Sequence, residues 1–404
     1  MRVKITKSKA KGTVAAPPSK SMAHRLLICA SMAEGVSTIH GVSDCEDVLA
    51  TLDCLSSMGI KYDKCKDKIT LRGKKLQNRV ISTPLNCRES GSTIRFMIPS
   101  ALAVGTTTVL EGAPRLMQRP MDVYEKLCGE NGLYFKADGQ AISVCGPLKS
   151  GEYEIAGNIS SQFISGLLFA LPCLDGDSRI RILPPVESKP YINMTIDALA
   201  AFGVSAVWED DSTIFIKGSQ IFVPTEISVE GDYSGSAFLE ALNLFGSDIT
   251  VTGLKENSLQ ADEIYKEHFK LLSRGVPTIR INDCPDLAPI LFASAGALQG
   301  GIFEGTARLK IKESDRSCAM AEELQKFGIS VEVYDDKVVV DPKEFHAPTK
   351  ILNSHNDHRI VMALSVLLTL TGGEIDGAEA VSKSYPRFFE DLNSLGIEVT
   401  TYDV

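Results

Sequence analysis

Apolar and polar positions along the chain repeat one pattern. A segment of helical periodicity ends in Gly, an apolar residue follows at once, and a short strand-like stretch begins. This happens at Gly59-Ile60, Gly132-Leu133, Gly203-Val204, Gly275-Val276, Gly328-Ile329 and Gly396-Ile397. Most intervals are about 70 residues and one is about 53. The physical sense is a helix closed by Gly in the left-handed region that turns directly into a strand. Between these points a second series runs, in which Ser, Gly or Asp opens a strongly apolar helix: 18–33, 90–104, 160–171, 234–245, 286–298 and 357–370. Short polar side chains at these openings are good N-caps. In the first, Met22, Leu26, Cys29 and Ala33 share one helical face. Strands are predicted after each helix, at 36–42, 106–110, 178–183, 248–254, 301–306 and 374–377. The pattern predicts six α/β units, three and three, with the change of segment near Val229-Glu230-Gly231-Asp232.

Composition narrows the class. The 404 residues exceed one ordinary core, so two domains are expected, and 44% apolar with 23% charged residues is the balance of a soluble globular protein. A net charge of −9 opposes nucleic-acid binding, which needs a surplus of Lys and Arg facing phosphates. Ten cysteines without a CxxC and six His without metal-ligand spacing indicate neither a disulfide framework nor a metal site, and fit a reducing cytoplasm. The basic start runs into Pro17-Pro18 rather than an apolar stretch, so no signal peptide is read. The longest apolar run, 360–370, includes Ser365 and Thr369, is too short to span a bilayer, and reads as a core helix.

Against that acidic background, cations and hydroxyls gather where helix N-termini leave backbone N–H groups unsatisfied, the places that attract anions. The first opening carries Lys20, Ser21 and, about one turn on, Arg25. The second, Arg88-Glu89-Ser90-Gly91-Ser92, lets a ligand approach the main chain at Gly91, and Arg115 and Arg119 follow a strand nearby. The third offers Ser160, Ser161 and Gln162, with Ser188, Lys189 and Tyr191 in a later loop. In the second half, Lys312 and Arg316 are expected at i and i+4 on one helix face, His358 and Arg359 open another helix, and Lys383 precedes Ser384-Tyr385-Pro386. Taken singly these are solvated charges, helix caps or a core histidine. Counted together they predict two facing anion-binding walls, in which Asp286 and Glu313 are the obvious carriers of protons.

The motifs PSKSMAHR, ESGSTIRF, RLMQRP, SSQF, SKPY, PDLAP, KESDR, NDHR and VSKSYP, in this order, resemble the EPSP synthase (3-phosphoshikimate 1-carboxyvinyltransferase) family over practically the whole chain. The resemblance implies an α/β (α+β) fold, a two-lobed inside-out α/β barrel of six βαβαββ repeats, three per lobe. The first lobe would span 14–228 and the second 1–13 with 229–404, the active site lying in the cleft between them. Segments 13–16 and 227–232 are the hinge candidates. It further implies that Lys20, Ser21, Arg25, Ser160, Ser161, Gln162, Ser188, Tyr191, Asp286 and Lys312 hold shikimate 3-phosphate. Lys20, Gly91, Arg119, Gln162, Arg316, His358, Arg359 and Lys383 would hold phosphoenolpyruvate. Asp286, Glu313 and Lys20 would move protons, their order left open. No cofactor and no metal are implied, and the partners are the two small-molecule substrates, without nucleic acid or membrane, for a monomer.

The chain departs from the family's pattern at Glu89, where many members have Asn, at Phe96, where many have Pro or Leu, and at Arg308, where some have Asn four residues before Lys312. Gly91 is the small residue that the family associates with sensitivity to glyphosate, so inhibition is expected. Two alternatives stay open. The sister family that transfers enolpyruvyl to UDP-N-acetylglucosamine shares the fold, but usually has Cys where this chain has Pro114. A non-catalytic two-lobed binding protein for a phosphorylated metabolite would bind anions without regard to Asp286 and Glu313.

Overall fold

A computed structural model describes residues 1–402. All six apolar segments are helical, over Lys20–Met32, Gly91–Val104, Ser161–Ala170, Tyr233–Leu244, Ala288–Ala297 and His358–Thr371. Four begin with a side-chain cap, three at the predicted opening and one, before Tyr233–Leu244, two residues ahead of the expected Ser234. Ser90 accepts from Thr93 N, Ser160 from Gln162 N, Asp232 from Gly235 N and Asp357 from Arg359 N. These helices have no wet face: every residue from His358 to Thr369 is buried, as is all of Gly91–Val104 except Ser92 and Val104. A helix enclosed on all sides belongs in the middle of a core. The strands behave oppositely. In Ser178–Leu183 the buried Ser178, Ile180 and Ile182 alternate with the half-buried Arg179 and the exposed Arg181, so each sheet has one dry face and one wet face. Helices inside and sheets outside make the inside-out α/β arrangement.

One complete repeat shows the order. Strand Leu85–Asn86, helix Gly91–Val104, strand Thr108–Glu111, helix Asp122–Glu130 and the hairpin Tyr134–Ala137 with Ala141–Cys145 form one four-stranded sheet, its first pair parallel and the rest antiparallel. Two further sheets, those containing Glu152–Ala156 and Thr278–Arg280, repeat it. Two others are completed by a strand distant in sequence. Glu226–Ser228 lies parallel to Gly35–His40, and Arg2–Ile5 inserts antiparallel between Gly373–Asp376 and Val399–Tyr402.

The remaining repeat, fourth along the chain, departs from βαβαββ. Lys11–Ala15 pairs with Asp248–Thr252 in a sheet of only two strands, and no hairpin follows helix Tyr265–Leu272 before Thr278–Arg280 opens the next repeat. That missing hairpin is the reason for the short interval of about 53 residues after Gly275. It also explains the backbone. Gly59, Gly132, Gly203, Gly328 and Gly396 all have φ between 65° and 88°, whereas Gly275, with no strand to turn into, has no positive φ.

The chain divides into two compact units, Met1–Ser19 with Gly231 onward, and Lys20–Glu230, against expected bounds of 1–13 with 229–404, and 14–228. The core of the second includes Phe96, Phe163, Phe169 and Phe202, and that of the first Phe238, Phe292, Phe303 and Phe327. The segment 360–370 is core, and no helix among the described residues is long and apolar enough to cross a membrane.

Candidate active site

In the unit Lys20–Glu230, polar groups at the starts of three of the central helices are held by two sets of hydrogen bonds. Arg25, 3% exposed, donates from Nε to Thr195 Oγ1 at 2.8 Å, from Nη1 to the Ser21 carbonyl at 2.6 Å and from Nη2 to the Tyr191 carbonyl at 3.0 Å. This ties the first opening to the Ser188–Tyr191 loop. Lys20 Nζ lies 2.7 Å from Asp47 Oδ2. The Gln162 amide bridges two elements, accepting from Arg95 Nη1 at 2.7 Å and donating to Ser92 Oγ at 2.8 Å. Arg119 is buried against Gly91, and a Cβ on Gly91 would stand 2.3 Å from Arg119 Nη1. Ser188 is buried in the left-handed region, φ 56°, immediately before helix Lys189–Ala201. Lys20, Ser21, Arg25, Gly91, Arg119, Ser160, Ser161, Gln162, Ser188 and Tyr191 thus all fall within one unit.

Some neighbours go elsewhere. Lys189 points to Asp211 at 3.4 Å and over the Trp208 ring, and Arg115 is exposed. Phe96 is wholly buried, edge-on to Phe169 at 5.3 Å and under the Arg25 guanidinium at 5.4 Å, so it packs beneath the site. Arg88 binds Asp53 and Glu46.

The other unit concentrates charge on Asp286. Its Oδ1 accepts from Arg316 Nη1 at 2.7 Å and Lys312 Nζ at 3.3 Å, and its Oδ2 from Arg359 Nη2 at 2.8 Å. Arg316, 1% exposed, also donates from Nη2 to Glu313 Oε2 at 2.7 Å and from Nε to Asp357 Oδ2 at 2.9 Å. Asp357 caps its own helix through the Arg359 N–H at 3.0 Å, so one carboxylate joins two elements. Lys383 Nζ donates to the Asn356 carbonyl at 2.6 Å, which the left-handed pair His355 and Asn356 turns toward it. His358 is buried beside Asp357, Nδ1 to Oδ1 3.9 Å.

Two expectations about local structure need correction. Lys312 and Arg316 do not share a helix face: Lys312 is extended after the 3-10 turn Ala307–Ile311, and the helix starts at Arg316 with Asp315 as cap. Their convergence comes from Asp286, not from helical spacing. Asp286 is likewise not a helix cap but sits in the 3-10 turn Pro285–Leu287 that precedes Ala288–Ala297, because Pro285 and Pro289 tighten the start of that helix.

The electrostatics follow. Burial by itself would raise Asp286, yet Arg359, Lys312 and Arg316 hold its carboxyl well below the ordinary range. Burial pushes Lys312 down to about 8, against the attraction of Asp286. Burial also disfavours the Arg316 charge, but Asp357, Glu313 and Asp286 more than offset it, so the guanidinium holds its proton more firmly than usual. Such a cluster keeps several cations preorganised, with carboxylates that ligand anions can replace. A grouping with metal-ligand character, Glu322, Glu323 and His355, lies elsewhere. Glu323 already accepts from Lys326, His355 and the Asn353 N–H, so an ammonium stands where a metal charge would be needed.

With the sites in place, comparison with known proteins becomes decisive. The sequence profile of EPSP synthase (3-phosphoshikimate 1-carboxyvinyltransferase) matches residues 5–392. The chain belongs to the EPSP synthase family. It is 38% identical to the 3-phosphoshikimate 1-carboxyvinyltransferase of Clostridium kluyveri, covering 100% of this chain and 99% of that one. It is also 38% identical to the enzyme of that name from Clostridium acetobutylicum, covering 98% of each. A solved EPSP synthase from Acinetobacter baumannii aligns with a TM-score of 0.81 at 26% identity, over 99% of this chain and 100% of that one. The enolpyruvyl transferase NikO from Streptomyces tendae, TM-score 0.76 at 14% identity over 99% and 98% of the two chains, shares the fold alone.

Within this EPSP synthase family chain, several functional supports escaped the sequence reading. Asp47, the partner of Lys20, and Thr195, the partner of Arg25, lie 27 and 170 residues from the cations they hold. Nothing local signals them. Arg95 was findable, because it lies one helical turn from Gly91 and Ser92 on a helix whose other residues are nearly all apolar.

Proposed function

We propose that the chain transfers the enolpyruvyl (carboxyvinyl) group of phosphoenolpyruvate to the 5-hydroxyl of shikimate 3-phosphate, releasing phosphate, a step toward the aromatic amino acids. One observation carries the reading: in a member of this family, Asp286 is gripped by Arg316, Lys312 and Arg359 within 3.3 Å. Shikimate 3-phosphate is assigned to Ser21, Arg25, Ser160, Ser161, Gln162, Ser188, Tyr191, Asp286 and Lys312. Phosphoenolpyruvate is assigned to Gly91, Arg119, Gln162, Arg316, His358, Arg359 and Lys383, and Lys20 serves both. The ten free cysteines support a reducing cytoplasm, and the chain is read as a monomer.

The bond changes are an addition followed by an elimination. The 5-hydroxyl oxygen bonds to C2 of phosphoenolpyruvate, its proton passes to Asp286, and C3 gains a proton from Glu313, with Lys20 the alternative acid. The C2–O bond to phosphate then breaks, C3 returns a proton to Glu313, and the phosphate leaves with the proton held on Asp286. With three cations stabilising its charge, Asp286 is by itself a poor base. Substrate phosphates and carboxylates draw those cations away, so the basicity of Asp286 rises only when the substrates are bound. The cations meanwhile hold two mutually repelling anions side by side and stabilise the departing phosphate.

Purified protein is mixed with shikimate 3-phosphate and phosphoenolpyruvate and assayed for released phosphate, with UDP-N-acetylglucosamine as the competing acceptor. Turnover with shikimate 3-phosphate alone is expected, with inhibition by glyphosate competing against phosphoenolpyruvate. No turnover with either acceptor would favour the binding-protein alternative. Glu313→Gln should keep both substrates bound but lose most turnover, and full activity would remove Glu313 from the proton scheme.

A further inference from the structure

Asp262 belongs to none of the motifs above, yet it is a carboxyl only 3% exposed and placed at the back of the cationic cluster. It sits in the short 3-10 turn Ala261–Ile264. The preceding Gln260 fixes that turn against the start of helix Tyr233–Leu244, accepting from Tyr233 N at 3.0 Å and donating to the Gly231 carbonyl at 2.8 Å. Ser234, on the first turn of the same helix, donates its hydroxyl to Asp262 and accepts from Arg359 Nη1. The opposite side of the guanidinium rests on Asp286 Oδ2, and Nη1 also reaches the Asp286 carbonyl at 3.3 Å. A buried chain therefore runs Asp286, Arg359, Ser234, Asp262, and the arginine is held from two directions.

We propose that Asp262 is a positioning residue for Arg359, and that when a ligand carboxylate or phosphate takes the guanidinium, Asp262 takes up one proton from solvent. This rests on the reading of Arg359 as a contact for phosphoenolpyruvate.

The charges around Asp262 give the direction. Asp286 and Asp232 repel its anion, Arg359 attracts it, and the Cys284 thiol lies alongside, itself in contact with His268 Nε2 at 3.8 Å. On the adjoining elements, Glu263 pairs with Lys266 at 3.2 Å, and Glu240 faces Tyr265, whose ring packs near that of Tyr233. Burial, then the charge of Asp286, raise Asp262 to about 7, so its proton is exchangeable near neutrality. A ligand anion on Arg359 adds negative charge and diverts a cation that favours ionised Asp262, so the neutral carboxyl becomes preferred. Only an O–H bond forms, with water or buffer as donor.

The test is the pH dependence of kcat/KM for phosphoenolpyruvate in the whole enzyme. In the wild type it should fall as pH rises above about 7, because each binding event then requires a proton. Asp262→Asn fixes the neutral form, so that fall should flatten, and at pH of about 8.5 KM for phosphoenolpyruvate should lie below the wild-type value, on the order of tenfold. Tighter binding is not something a damaged fold produces. Comparing the two proteins at each pH cancels the ionisation of the ligand. Ser234→Ala, which cuts the link, should raise KM at every pH.

Should Asp262→Asn not fold, calorimetric titration of the Lys312→Arg enzyme with phosphoenolpyruvate, in two buffers of different ionisation heat, reads the same event. Lys312 and the imidazole of His358 are the other groups that can gain a proton on anion binding, so the titration is repeated with Lys312→Arg/His358→Gln, and the uptake that persists in both variants belongs to Asp262. Superimposable pH profiles, a uniform loss at all pH, or no uptake in the Lys312→Arg/His358→Gln enzyme would overturn the proposal. Arg359→Ala separates the two layers. If it leaves KM for phosphoenolpyruvate unchanged, the assignment of Arg359 has failed. If it raises KM while Asp262→Asn and Ser234→Ala match the wild type, the role of Asp262 has failed.

Discussion

Replacing Gly91 by Ala isolates the contribution of one cation. Gly91 is the first residue of helix Gly91–Val104 and has no positive φ, so its backbone accepts a side chain without strain. The added Cβ would lie 2.3 Å from Arg119 Nη1, 3.5 Å from its Cζ and 3.6 Å from Arg95 Nη1. Restoring ordinary contact requires the Arg119 nitrogen to retreat by about 1 Å, within the range at which a misplaced group loses its hold on a reacting ligand. The moving atom is the end of a long side chain, so the fold is little affected, and Ala in place of Gly favours a helix by up to about 1 kcal/mol. Losing or stretching one charge-assisted hydrogen bond costs about 2 kcal/mol, which is roughly 30-fold in affinity. Steady-state kinetics with phosphate release as readout should therefore show KM for phosphoenolpyruvate raised by one to two orders of magnitude, with KM for shikimate 3-phosphate nearly unchanged. The melting temperature should be unchanged or slightly higher. A variant with wild-type KM for phosphoenolpyruvate, or one equally impaired for both substrates and less stable, would refute the reasoning.

Two further outcomes follow from the buried charges. Lys312, lowered by burial to about 8, is charged below that pH and neutral above it, so KM for shikimate 3-phosphate should rise as pH passes about 8, and Lys312→Arg should flatten the rise. The same shift makes the unfolded chain bind more protons between pH 8 and 10.5, so the lysine's contribution to stability improves as pH rises through that window. Arg316→Met removes the cation shared by Asp286, Glu313 and Asp357, leaving carboxylates without it inside the protein. Differential scanning calorimetry should then show a loss of about 3–5 kcal/mol, on the order of 10 °C. A loss within the scatter of a surface substitution would mean that the cluster reorganises.

The repeat architecture was legible because it is written in local chemistry. Five of the six Gly turns demand a left-handed backbone that few other residues adopt readily, and four of the six apolar helices announce themselves by a Ser or Asp cap. Even the short interval after Gly275 was visible, although its meaning, a repeat that lacks its hairpin, needed the strand pairing. The types of residue in the site were legible too, since cations and hydroxyls at helix starts have a reason to be there whatever the tertiary structure.

What distance in sequence hides is partnership. Lys312 and Arg316 were expected to meet by helical spacing, and they meet instead on Asp286, some 26 and 30 residues away. Asp47, Thr195 and Asp262 are ordinary polar residues until folding sets them against Lys20, Arg25 and the Ser234–Arg359 pair. A cap or a turn is decided by dihedral angles within a few residues. The strength of a buried charge is decided by which charges the rest of the chain brings within a few ångströms, in a medium that no longer screens them.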